Sequence, residues 1–432
     1  MIPISLGDII TLLEKGVQLR NLPAQIRAAR ADRLVGKSPN ARASASLYEF
    51  LHGVYYDLPI LIGPDGPFPV GVLPVSPEAA SNVDRLSIKL GPAPTSFRVM
   101  HPEIVQALQR RGADLWNGTT FSLSGVDLDT SGAVDGLTGY LGSYFAMVNS
   151  ADYLEYELLA ALLRGNLSHS IRNLPGRCSA LEAFDSPREC LLFGGGVDAV
   201  IGVSTLVVYA RQNSYWMICD VRSKQVAEYE ELYHVVPSFI YQPVTATTDH
   251  NLAIERGLVH NIYREYLEEL FRIPEVYKVG RPISPDFFYQ HPNLALLREL
   301  LANGAAKLST TAVIFNLLNH RPEVCTVLVI RDDEWFARQK DTMGTSEDGL
   351  CPLNLNDEFL TVEAQSADPH PEITTTLPLD SPKWSEMIKP WLMVPPGAAA
   401  LVLGAKRACA ILGIEEPEWL RHYHIAEARN EP

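Results

Sequence analysis

Arg264-Glu265-Tyr266-Leu267-Glu268-Glu269 decides how the rest of this chain is read. It lies in a run from Asn251 to Phe271 whose apolar spacing predicts one long α-helix. On such a helix Glu265, Glu268 and Glu269 stand at i, i+3 and i+4, so one face carries three carboxylates. Asn261 and Arg272 extend that polar stripe, and Leu258, Val259, Ile262, Tyr263, Tyr266, Leu267 and Leu270 cover the other side. Like charges at this spacing cost roughly 0.2–0.5 kcal/mol per pair on an isolated helix. Two readings account for the face. Either water screens it, or it holds a hard divalent cation, since Mg2+ takes oxygen ligands and is usually bound through one or two carboxylates.

The chain around the helix is long enough for two domains: 432 residues exceed one ordinary core. Its 47% hydrophobic and 20% charged residues are those of a water-soluble globular protein. No apolar run reaches the roughly 18 residues of a membrane span, and no basic, apolar leader opens the chain, so no membrane is expected. A formal charge of −15 without a basic block argues against duplex nucleic acid as a partner, although a local basic groove could still hold a mononucleotide. Six cysteines, at 178, 190, 219, 325, 351 and 409, form no CxxC pair and read as reduced thiols, which makes the expected location cytoplasmic.

Going outward from the helix, Gly202–Ala210 and Tyr215–Arg222 alternate as strands about an Arg211-Gln212-Asn213-Ser214 hairpin. A short strand at Leu232–Val236 and a Pro237-Ser238-Phe239 turn lead into the helix. Beyond it come a Leu-rich helix from Asn293 to Leu301, strands at Lys307–Leu318, Val324–Ile330 and Glu358–Glu363, and a small-residue helix from Gly397 to Leu412. Gly194-Gly195-Gly196 lacks the Lys-Ser/Thr of a phosphate loop and reads as a turn. The expected division is an N-terminal α+β domain at 1–165, a linker at 166–189, a second domain at 190–415 and a polar tail at 416–432. The first domain shows no catalytic constellation; its role is open between a dimer interface, hence a homodimer, and an accessory that selects substrate.

Hairpin, short strand, turn, acidic helix, strands and late helix, with Arg-Glu-apolar-x-Glu-Glu on that helix, resemble the Nudix hydrolase superfamily. The family signature is G-x5-E-x7-R-E-U-x-E-E-x-G-U, with U a bulky apolar residue. Its R-E-U-x-E-E core is matched in full by residues 264–269, whereas His250, Arg256, Phe271 and Arg272 stand where the signature has Gly, Glu, Gly and an apolar residue. The resemblance covers about residues 190–415 and implies an α/β/α sandwich with a mixed sheet. It also implies Glu265, Glu268 and Glu269 as ligands of Mg2+ or Mn2+, with Glu269, Glu268 and Arg264 as the catalytic set. Arg264 would hold the helix–loop geometry through an ion pair. The implied activity is metal-dependent hydrolysis of a diphosphate linkage in a nucleoside diphosphate derivative or other organic diphosphate. Loss of the loop glycines leaves a second reading open, a Nudix-fold binding, regulatory or biosynthetic accessory protein without hydrolysis. Glu347, Asp348, Asp357 and Glu358 are candidates for an assisting base, and His234, His250 and His260 lie near the motif without zinc spacing. Arg211, Arg222, Lys224, Arg281 and Arg321 are the cations available to attract a polyanion.

Overall fold

A computed structural model describes residues 3–14, 41–113, 115–164, 171–223, 229, 231–244, 248–273, 284–340, 353, 355 and 376–429. Thirteen strands lie among these residues: β1 (Ile60–Gly63), β2 (Gly66–Pro74), β3 (Ile88–Leu90), β4 (Thr119–Leu128), β5 (Val134–Ser143), β6 (Gly202–Arg211), β7 (Ser214–Val221), β8 (Tyr233–Val235), β9 (Ser238–Ile240), β10 (Ala306–Asn316), β11 (Pro322–Ile330), β12 (Thr376–Pro378) and β13 (His424–Ala426). The helices that matter here are α1 (Tyr144–Leu163), α2 (Pro175–Leu181), α3 (Asp249–Glu255), α4 (Leu258–Leu270), α5 (Pro292–Ala302), α6 (Trp335–Lys340) and α7 (Pro395–Leu412).

Ten strands form one mixed sheet in the order β12-β7-β6-β11-β10-β2-β1-β13, with β8 on β7 and β9 on β6. Its centre is the parallel pair β6–β11, Gly202 to Tyr209 against Glu323 to Ile330. Both strands are buried at almost every position because both faces are covered. Leu206 and Val208 pack with Ala399, Val402 and Ala405 of α7 on one face. Val207 and Tyr209 pack with Leu267 and Leu270 of α4 and Leu297 of α5 on the other. Small residues let α7 lie close: a Cβ on Gly404 would stand 2.9 Å from Leu206. The result is a mixed α/β sandwich, helices on both faces of the sheet.

The sheet and the core both cross the interval at which the sequence divides the chain. β2 pairs with β10, Val72 opposite Ile314, so strands from residues 60–74 belong to the same sheet as the 190–415 strands. The largest hydrophobic cluster holds Leu154 of α1 together with Val203 and Val324. Residues 166–189, expected as a linker, contain α2 and its fully buried Arg177. Polar composition there marks a hydrogen-bonding core segment. A smaller sheet, β3-β5-β4, stands beside the large one and is tied to it through Phe121 N–H to Tyr241 O at 2.9 Å and Leu123 N–H to Ala199 O at 2.9 Å. Among the described residues no helix is long and apolar enough to cross a membrane.

The hairpin, the β10–β11 pair and the late helix match their expected positions. The run 251–271 differs: it is two helices, α3 and α4, parted at Arg256-Gly257. The break is stabilised by long-range partners for the backbone groups it exposes. Arg256 O accepts from the Ile88 N–H and the Tyr241 hydroxyl, and Asn261 Nδ2 donates to Glu255 O and Gly257 O at 2.6 and 2.8 Å. The first N–H groups of α4 donate to Ser87 Oγ (2.9 Å) and Asp84 Oδ1 (3.0 Å), more than 170 residues earlier in the chain. Asp84→Ala should therefore cost about 1 kcal/mol of stability, the usual loss of a side-chain cap, in urea unfolding. An unchanged midpoint would refute the capping role.

Candidate functional site

No water-screened face exists on α4. Glu265, Glu268 and Glu269 are 8%, 6% and 3% exposed, and Arg264 is 3% exposed, so the solvated reading of the acidic helix is overturned. The cause is tertiary. The apolar side packs on the sheet as the periodicity predicts, while β9 and the segment 241–244 close over the carboxylate side. That segment enters through Pro237, whose preceding peptide bond is cis, and runs antiparallel to β6.

The closing contacts are specific. The Ser238 N–H donates to Glu269 Oε2 at 2.9 Å. The Val244 N–H donates to Glu255 Oε1 at 3.0 Å, which brings in the glutamate one position from the signature's isolated Glu. Arg264 Nη2 donates to Glu265 Oε1 at 2.7 Å, its Nε reaches the same oxygen at 3.2 Å, and its Nη1 donates to Gln242 O at 3.3 Å. Burial pulls the Arg264 guanidinium down, and Glu265, Glu268 and Glu255 around it more than restore it, leaving it above its usual value. Carboxylates from both sides of the helix break thus gather at one guanidinium and one loop.

Carboxylate oxygens are the right donors for Mg2+ or Mn2+. Glu265 faces Arg264, Glu269 faces a backbone N–H, and among the described residues no three His, Cys, Asp or Glu side chains are placed to hold one metal ion.

The other candidates disperse. His250 is exposed; His234 and His260 are buried. Burial pushes the His260 imidazole down to about 4, with Arg264 adding to the effect, and its Nδ1 lies 3.1 Å from the Tyr289 hydroxyl. The His234 ring, pushed down to about 3 by burial and by Arg222, has Nδ1 3.0 Å from Val235 O. Both are neutral core side chains. Glu347, Asp348, Asp357, Glu358, the strand at 358–363, Lys224 and Arg281 lie outside the described residues. Gly194-Gly195-Gly196 is the turn its composition implies, with φ of 84°, 67° and 69°; Gly195 O lies 3.2 Å from His320 Nδ1 and Gly196 O accepts from the Arg98 N–H.

Ser238, Gln242 and Val244 escape sequence reasoning because their contacts are made by backbone atoms, which carry no residue-type signal. Comparison with known proteins adds no relative: no family model matches the chain, and no curated protein matches it.

Proposed function

We propose that the chain is a Nudix-type protein that binds a diphosphate-bearing small molecule without hydrolysing it, as a ligand-binding or accessory protein. One observation carries this reading: the acidic helix is committed to bracing the segment before it. Glu269 takes the Ser238 N–H, Glu255 takes the Val244 N–H, and Glu265 fixes the Arg264 that reaches Gln242 O. A charged acceptor buried on a backbone N–H contributes about 1.5–3 kcal/mol, so freeing these groups for a metal would cost loop stability. The support for the fold type is the mixed sheet between helical layers with the parallel β6–β11 pair, together with the R-E-U-x-E-E match on α4.

The test is a screen of nucleoside diphosphate compounds and other organic diphosphates, with and without Mg2+, following binding by calorimetry and product release in parallel. Binding without turnover, indifferent to EDTA, is the expected result. Glu269→Gln should then lower thermal stability and leave affinity near the wild-type value. The hydrolase reading is favoured by the complete motif and by the burial of four carboxylates in one water-shielded place. Mg2+-dependent product release that collapses in Glu269→Gln would establish it and overturn ours.

A further inference from the structure

No further inference is drawn: the strongest candidate, the acidic turn Asp127-Asp129-Ser131-Asp135 at the tip of the β4–β5 hairpin, has its carboxylates taken by Lys89, by Arg85 and Ser76 and by the turn's own N–H groups, and nothing else there points to a ligand.

Discussion

Arg177→Met should lose about 3–5 kcal/mol of folding stability, the range for stripping a buried charged group from its partners. Arg177 is fully buried and holds four chain segments together. Its Nη1 donates to Leu317 O at 2.8 Å and to the Tyr55 hydroxyl, and its Nη2 to Leu318 O at 2.6 Å and Leu154 O at 3.4 Å. The Tyr55 hydroxyl also meets His320 Nε2, whose ring reaches Gly195 O through Nδ1. The wiring is self-consistent: His320 donates to Gly195 O, accepts from Tyr55, and Tyr55 accepts from Arg177. Methionine fills much of the volume but leaves three carbonyl groups without their donor and removes the positive charge facing Glu157, whose carboxylate accepts from Gly176 N–H and Arg177 N–H at 2.7 and 3.1 Å. Against a typical total of about 5–15 kcal/mol the loss is large. Arg177→Lys should lose less, since an ammonium can serve Leu317 O or Leu318 O but not the whole fan. Urea unfolding decides; a methionine variant within about 1 kcal/mol of wild type, smaller than one buried unmet hydrogen bond, would refute the hub.

Nothing in the residues around Arg177 announces this role. Local patterns reveal what local forces set: the β6–β7 strands alternate or run apolar about a turn-forming Gln212-Asn213 with positive φ, and that hairpin is legible. Arg177 sits in a segment without periodicity, and its partners come from Tyr55, Leu154 and Leu317. The same limit explains the acidic helix. Its heptad-like spacing correctly places Leu267 and Leu270 on the sheet, yet the burial of Glu265 and Glu269 depends on β9 and on residues 241–244 folding back over them. The break at Gly257 is as opaque, since glycine inside a helical pattern is usually tolerated, and here Asp84, Ser87 and Ile88 make the interruption favourable. The entry of β1 and β2 into the large sheet rests on pairing across more than 230 residues, for which a strand's own alternation carries no address. Arg211 could be named as a cation from sequence; only the facing of Tyr209 and Trp216 across the hairpin shows what it stacks on.

Folding stability should peak near pH 6.5 and fall by about 2–3 kcal/mol on going to pH 8, as linkage from the buried acids and histidines requires. Burial raises Glu157 from 4.5 to about 7 and Asp220 from 3.8 to about 8. Each keeps its proton in the fold where the unfolded chain has released it, so stability falls as pH rises through those intervals. Burial lowers His234 and His320 from 6.5 to about 3 and His260 to about 4. These stay neutral in the fold while the unfolded chain takes protons, so their contribution is complete above pH 6.5 and is lost below it. Between pH 4.5 and 6.5 these three histidines, joined by His52, His101 and His291, which burial also lowers, oppose Glu157, Asp220 and the raised Asp198; the histidines are the larger set, so stability climbs with pH. Above pH 6.5 the histidine contribution is constant and the two acids act alone until pH 7, then Asp220 alone until pH 8. The carboxylates of Asp8, Asp129, Asp135 and Asp286 are lowered, and the stability they lend disappears only in more acidic solution. The buried thiols and phenols are raised and act only in more alkaline solution. Asp220→Asn isolates one limb: Asp220 Oδ1 accepts from the Val221 N–H at 2.7 Å, an acceptor asparagine retains, while Oδ2 is buried without a hydrogen-bond partner. The variant should match or exceed wild type at pH 8 and lose most of the decline between pH 7 and 8. Urea unfolding at half-unit pH steps reads both curves, and a wild-type stability that keeps rising to pH 8 would show that Glu157 and Asp220 are ionised in the fold.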